Sequence, residues 1–407
     1  MKWGLATTEA LLGALGHPER HFEAVHVGGT NGKGSTSTML YEVLRAAGWR
    51  VGLYTSPHLV SFRERMVVDG VAIPEEAVAV WAERLRPLAD RTRASFFEVT
   101  TAIAFADFAA RGADVAVVEV GLGGRLDATN VLQPLAAGVT RIALEHTDYL
   151  GPDLASIATE KAGIAKEGVP FVTTEASDGV AAVLEREARG RGAIFERLDV
   201  ASAVRGLEVV DGGSTFDLVT PERRYAGLRV RMGGAHQAAN AALAVRLAEL
   251  LPARYGVGEA AVRQGLDAAR VPGRFERRGR WLFDVAHNPD GARSLVAALR
   301  AAPPARPLVG VVAVLGDKAW TEFLAALAPA LDGLVLTRAP SAPAERAWSL
   351  DAAAAWCRSA GVAARVEGDF DAALAAAASE GGTVLVTGSF HTVGDAMSRL
   401  PGTAPVG

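Results

Sequence analysis

Residues 26–40 read HVGGTNGKGSTSTML: an apolar strand end running through Gly28, Gly29, Gly32 and Gly34 into a helical pattern. The common nucleotide-binding loop is G-x-x-x-x-G-K-[ST], with the hydroxyl directly after the lysine. Here Lys33 is followed by Gly34, and the hydroxyl arrives one place late, at Ser35. A strand that delivers glycines into a helix N-terminus presents free backbone N–H groups and a positive dipole end to an anion. The glycines allow close approach of a phosphate, and the lysine adds a point charge. Taken alone, the stretch is either such a phosphate site or a plain strand–helix turn.

Working outward, short apolar runs alternate with longer helical patterns, the signature of parallel sheets covered by helices. FEAVHVGG (22–29) is a strand, STSTMLYEVLRAAG (35–48) the helix after it, and VGLYTSP (51–57) a second strand stopped by Pro57. ADVAVVEVGLGG (113–124) has the uninterrupted apolar run of a central strand buried on both faces. Further strands are expected in AAGVTRIALEHTD (136–148) and VPFVTT (169–174). The texture changes over 195–232, where a small hairpin excursion is expected, and GAHQAANAALAVRLAELL (234–251) reads as one helix. After VPGRFERRGR (271–280) the rhythm restarts with WLFDVAHNPDGA, PLVGVVAVLGDKA, LDGLVLTRA, VAARVEG and TVLVTGSFHTVG. The expected fold is α/β: an N-terminal P-loop-type, mostly parallel sheet flanked by helices (1–271), then a smaller Rossmann-like domain (272–407). No repeat is visible.

Composition narrows the function. With 407 residues, half of them hydrophobic, and 42 basic against 46 acidic side chains, the chain reads as a soluble globular protein of two or three domains. A net charge of −4 gives no reason to expect a large nucleic-acid surface. The arginines of 270–280 come with only Phe275 and Trp281 as stacking partners, so a solvated hinge with one or two phosphate-facing arginines is expected there. The single cysteine, Cys357, precludes an intrachain disulfide or a Cys-based zinc site and suits a reducing cytoplasm. Neither a signal peptide nor a membrane span is expected.

Several side chains stand at strand ends, where parallel-sheet proteins place their ligands. Glu119 ends an apolar central strand, and a carboxylate there is costly to bury unpaired. It makes sense beside a phosphate-bound divalent cation, or as the partner of an arginine. His146 follows another strand directly, with Lys161 just beyond, as metal ligand and counter-charge or as ordinary loop residues. Asp284 and His287 lie at a strand–helix junction where Asn288 and Pro289 also fit a plain helix cap. GLGGRL (121–126) is not a dinucleotide fingerprint, because its last position is Leu126.

Taken together, HVGGTNGKGS, TSPHL, FFEVTTAIAF, EVGLGGRLDATN, HTDYLG, EKAGI, HQAAN, PGRFE, FDVAHNP and GSFHTVG, in this order over nearly the whole chain, resemble the dihydrofolate synthase/folylpolyglutamate synthase family, relatives of the Mur ligases. The resemblance implies ATP-dependent amide formation: a substrate carboxylate takes the γ-phosphate as an acyl phosphate, and the glutamate amine then displaces phosphate. It assigns Thr30, Asn31, Gly32, Lys33, Gly34 and Ser35 to the ATP phosphates, with Asn240, Arg274, Asp284 and His287 as further ATP contacts. It implies two Mg2+ sites, one on Ser56 and Glu119, the other on His146, Lys161 and Glu119, with Lys161 turned into an anionic carbamate by CO2. Lys33, Glu119, His146 and Lys161 then form the catalytic set. Ser95, Phe96, Phe97 and Glu98 with Leu126, Asp127 and Ala128 match the pterin end, and the RLDA pattern leans toward an enzyme accepting both dihydropteroate and reduced folates. Lys318, Ser389 and His391 are candidate glutamate contacts. One departure stands out: aspartate is expected before His146, and the chain has Glu145.

The implied partners are small molecules only, bound by a cytoplasmic monomer without nucleic acid or membrane. Three rival readings remain at this point. A ligase that only extends polyglutamate chains is one. A Mur-type cell-wall ligase shares the loop logic, although only about 25 residues precede the loop, short of a separate domain. A P-loop ATPase or GTPase switch is the third; it predicts nucleotide-ordered loops and no use for a pterin pocket.

Overall fold

Val115, Ala116, Val117 and Val118 have no exposed surface, and the strand they form lies between two others. This is why the run carries no alternation: both faces are covered. The structure is a computed structural model and describes residues 4–210 and 212–403. The N-terminal sheet has strands β1 (Glu23–Gly28), β2 (Val51–Tyr54), β3 (Met66–Val68), β4 (Val71–Ala72), β5 (Val115–Glu119), β6 (Ala136–Val139), β7 (Pro170–Thr173) and β8 (Ile194–Arg197). Their order is β4-β3-β2-β5-β1-β6-β7-β8. In that order the pairing from β2 through β5, β1, β6 and β7 to β8 is parallel, and at the edge the short β3 runs antiparallel to both β2 and β4.

Helices cover both faces. On one side helix Lys33–Ala46 packs Met39, Leu40, Val43 and Leu44 against helix His236–Glu249 and helix Glu259–Ala268. A side chain at Gly265 would strike the backbone of Glu42 and Val43, so this glycine sets how closely two helices cross. On the other side helices Ala6–Ala14, Glu75–Thr92 and Phe96–Ala110 bury Leu11, Leu85, Ile103 and Phe105.

The region 195–232 differs from the single hairpin expected of it. Its start lies in β8 of the main sheet, and β9 (Ala203–Val210), β10 (Gly213–Val219) and β11 (Arg224–Val230) make a separate three-stranded antiparallel sheet. Phe216, Leu218, Leu228 and Val230 alternate inward and join the core beneath helix His236–Glu249, as period-2 patterning requires.

The C-terminal sheet holds β12 (Glu276–Arg278), β13 (Trp281–Asp284), β14 (Leu308–Val312), β15 (Gly333–Leu336), β16 (Ala364–Val366) and β17 (Thr383–Thr387). Its order is β12-β13-β17-β14-β15-β16, parallel except for β12. Among the described residues, no helix is long and apolar enough to cross a membrane.

Candidate active site

The carboxyl ends of both sheets open onto one cavity of about 780 Å3. Its lining brings together Thr30, Asn31, Gly32, Lys33, Gly34, Ser35, Ser56, Glu119 and His146 from the first sheet's side with Arg274, Asp284, His287, Lys318, Ser389 and His391 from the second, and Asn240 from between. Residues drawn from many strand ends thus meet where open α/β sheets place ligands.

The glycine loop is built by close approach. Gly29 (φ +128°) lies where any side chain would run into Thr140, and Gly32 (φ +100°) where it would run into the Asn240 amide. Both angles are in the left-handed region that favours glycine. Thr30 is tied to the neighbouring loop by N–H to the Arg141 carbonyl (3.0 Å) and by Oγ1 to the Ala143 carbonyl (3.2 Å). The helix starts at Lys33, leaving its first N–H groups facing the cavity, and Lys33 Nζ donates to the Thr30 carbonyl at 3.0 Å. Asn240 is held by its own bond to Gln237 Oε1 (3.0 Å).

Glu119 ends β5 and is 3 % exposed; its Oε2 accepts the Ser56 N–H at 3.0 Å. Burial pushes its carboxyl up, against the pull of Lys33, the Ser56 N–H, Arg274 and Arg65. Lys161, 5 % exposed, donates to the Gly29 carbonyl at 2.7 Å. Its burial, with Lys33 nearby, brings the ammonium down to about 7. His146 takes a left-handed backbone (φ 53°) at the start of the short helix Thr147–Leu150. Burial, then Lys318, pushes its imidazole down to about 4.

From the second sheet, Asp284 accepts from the Phe275 and Ala286 N–H groups, each at 2.9 Å. Burial raises its carboxyl against the opposing pull of Arg274. Arg274 lies over the Phe390 ring at 5.2 Å, and its Nε is buried without a hydrogen-bond partner. A buried guanidinium N–H without a partner is a donor in want of an acceptor, and Arg274 lines the cavity. His287 is fixed by Val285 O and by Glu145, each at 2.9 Å. For Glu145, burial raises the carboxyl, but His287 and Lys318 outweigh it and hold the group far below the usual range.

The other sequence candidates are placed differently. Ser389 caps helix Phe390–Arg399, accepting the Thr392 N–H at 3.0 Å, and His391 Nδ1 meets Ser341 Oγ at 3.0 Å. Ser95 and Glu98 form a reciprocal capping box on helix Phe96–Ala110. Phe96 is 63 % exposed beneath the Arg65 guanidinium (5.6 Å) and beside Phe62. Phe97 packs where a side chain on Gly121 would otherwise stand, and Gly121 lines the cavity, so this aromatic shelf adjoins it. Ser95, Phe96, Phe97, Glu98, Leu126, Asp127, Ala128 and Lys161 are not among the lining residues. Asp127 is buried, accepting from the Leu122 N–H (2.8 Å), the Thr129 N–H (3.0 Å) and the Thr129 hydroxyl. It braces the turn after β5.

Sequence reasoning missed several lining residues. Thr174 to Ser177 follow β7 and the strand-end rule would have found them; Glu175 there pins the Ile142 N–H at 2.9 Å. Arg141, Asp290 and Arg346 carry no local signal. Asp290 receives Asn31 Nδ2 at 3.0 Å and stands 3.4 Å from Arg141, so it links the two halves.

This two-sheet cleft has close counterparts. The Mur ligase middle domain matches residues 27–248, and the Mur ligase glutamate ligase domain matches residues 273–390. The chain belongs to the Mur ligase family. Within it, the dihydrofolate synthase/folylpolyglutamate synthase of Bacillus subtilis is 36 % identical over 80 % of this chain and 78 % of its own. Among solved structures, Mycobacterium tuberculosis folylpolyglutamate synthase complexed with ADP is 37 % identical, with TM-score 0.88 over 97 % of this chain and 94 % of that one. The Escherichia coli FolC in complex with DHPP and ADP is 32 % identical, with TM-score 0.87 over 98 % of this chain and 93 % of that one. Within the dihydrofolate synthase/folylpolyglutamate synthase branch of this family, the cleft described here is the candidate active site.

Proposed function

We propose that this ligase uses ATP to join L-glutamate to dihydropteroate and to reduced folates, forming ADP and phosphate. The observation that carries the reading is the convergence of the glycine loop, Glu119 and Arg274, whose Nε has no hydrogen-bond partner, on one cleft shared by two sheets. Relatives named for both reactions, and neighbours holding ADP, support it.

In this mechanism the loop N–H groups and Lys33 hold the ATP phosphates, and Arg274 closes on them from the second unit, here taken as 272–407. The acceptor carboxylate attacks the γ-phosphorus; ADP leaves and an acyl phosphate remains. The glutamate amine attacks the acyl carbon, a tetrahedral intermediate collapses, and phosphate departs. The protein's contribution is positioning and charge neutralisation. Asn31, Gly34, Ser35, Asn240, Asp284 and His287 complete the ATP side in this reading. The pterin lies on the Phe96–Phe97 shelf, and glutamate is received near Lys318, Ser389 and His391.

Mg2+, when bound, offsets phosphate charge. Glu119 and Ser56 fit it, because this cation takes one or two protein oxygens plus phosphate oxygens and water. Among the described residues no three His, Cys, Asp or Glu side chains converge for a metal, so a second ion on Glu119 and His146 needs another anion. A carbamate on Lys161 would supply one. A buried amine brought down to about 7 has the free electron pair that CO2 addition requires. A 13C NMR carbamate signal from protein equilibrated with 13CO2, absent in Lys161→Ala, is the expected result; identical spectra remove the modification.

The proposal is of a cytoplasmic monomer, since one chain supplies the whole cleft. The decisive measurement is ADP release with ATP alone, then with dihydropteroate, glutamate or both. Release that needs both is expected. Release with ATP alone would favour a nucleotide switch, and turnover with reduced folates but not dihydropteroate would restrict the enzyme to chain extension.

A further inference from the structure

Glu145 is the residue at which the sequence departs from its family pattern, and its side chain crosses the cleft. Its Oε1 accepts from His287 Nε2 at 2.9 Å and from Lys318 Nζ at 3.1 Å, partners 142 and 173 residues away. The three side chains are only 11 %, 22 % and 13 % exposed. Ion pairs shielded to this degree are weakly screened, and removing one member leaves a buried charge unpaired.

Each partner is otherwise oriented in one direction only. His287 has its second nitrogen on the Val285 carbonyl at 2.9 Å, so Glu145 fixes the remaining freedom of the ring. Its face meets Phe390 at 5.7 Å, and Phe390 also carries Arg274. Lys318 Nζ donates to Glu145 and to no other described side chain. One carboxylate oxygen therefore sets the separation of two cations borne on different strand ends of the second unit. An aspartate would fall short by one carbon–carbon bond, about 1.5 Å, and from the same backbone could not reach both.

We infer that Glu145 is a positioning residue whose carboxylate clamps His287 and Lys318 across the cleft, fixing where the second unit presents its cations to an incoming acidic amino acid. The part concerning the amino acid rests on the ligase reading above; the clamp itself rests on the geometry alone. Two readouts separate them. In the active enzyme, Glu145→Gln raises KM for glutamate tenfold or more while KM for dihydropteroate, whose Phe96–Phe97 shelf lies outside the clamp, stays within twofold. Added to Lys318→Ala, it causes no further rise, because the two residues act as one unit. Glu145→Asp, which keeps the charge, falls between wild type and Glu145→Gln.

The second readout needs no turnover. Small-angle scattering of the substrate-free full chain should show a wider distance distribution in Glu145→Gln than in wild type, with thermal unfolding confirming that both are folded. Should Glu145→Gln not fold, Lys318→Met removes the other half of the clamp and carries the same scattering test. Superimposable scattering curves, or an unchanged KM for glutamate in an active enzyme, overturn the inference. A wider distance distribution in Glu145→Gln, together with a wild type that never releases ADP in response to glutamate, would retire the ligase reading and leave the clamp standing.

Discussion

Lys33 ends on its own loop: Nζ donates to the Thr30 carbonyl at 3.0 Å, a local bond that a phosphate can replace without moving the helix. Lys33→Ala is therefore expected to lower turnover about 100- to 1000-fold, the cost of deleting one preorganised charge donor. Its urea midpoint should match wild type. Near-normal turnover would reduce the loop to a turn. His26, on β1, is fully buried; Nε2 meets Thr129 Oγ1 at 2.8 Å, and that hydroxyl donates to Asp127. Thr129 thus needs the histidine as its donor, and Nδ1 has no partner. Burial, then Lys166, pushes the imidazole down to about 3. The sign follows: above the unfolded value of about 6.5 the group is neutral in both states and costs nothing. As pH falls from about 6.5 toward 3, the unfolded chain binds a proton that the folded one refuses. Stability should drop by up to about 1.4 kcal/mol per pH unit from this group. Urea titrations between pH 7 and 4 should show a shallower loss in His26→Gln; parallel slopes would assign acid sensitivity elsewhere.

At the scale of elements, the helix Phe96–Ala110 shows how one segment serves both fold and site. Ser95 accepts the Glu98 N–H at 3.2 Å, and Glu98 accepts the Ser95 N–H at 2.6 Å. This box fixes the first turn, and the first turn carries Phe96 and Phe97. Ser95→Ala should cost about 1 kcal/mol of stability in urea unfolding. KM for dihydropteroate should rise several-fold, with KM for ATP unchanged. A stability loss with no change in that KM would make the cap purely structural. The strands β1, β5 and β13, with Glu119 and Asp284 at their ends, could be read directly, because an apolar run ending in a polar residue is a local pattern with one stable solution in a doubly covered sheet. Asp127 could be seen but its contacts could not: its partners depend on how the turn after β5 folds back. The short strands β3 and β4 were missed because Met66–Val68 and Val71–Ala72 are too brief to show periodicity.

Across the whole molecule, what the sequence hid is what joins the two sheets. Glu145 to Lys318, Asn31 to Asp290 and Arg141 to Asp290 each span well over a hundred residues, and no local pattern encodes them. Leu59 adds an apolar joint: it packs against the core of the C-terminal sheet although it belongs to the loop after β2. That loop is braced from within, Glu64 accepting the Leu59 N–H at 2.8 Å and the Val60 N–H at 3.0 Å. It docks at Gly394, in helix Phe390–Arg399, where a side chain would run into the Leu59 carbonyl. Gly394→Ala should favour the helix itself by up to about 1 kcal/mol. Overpacking at the docking point opposes this by about 1–3 kcal/mol. The strain is relieved by moving the loop off the second unit, and the loop includes Ser56, whose N–H holds Glu119. Gly394→Ala should therefore lose at least about tenfold in kcat, a barrier increase of roughly 1.4 kcal/mol, while thermal unfolding stays near wild type and scattering shows a wider cleft. Wild-type kcat together with an unchanged scattering curve would mean that the loop accommodates the methyl group in place, and that this joint does not control closure.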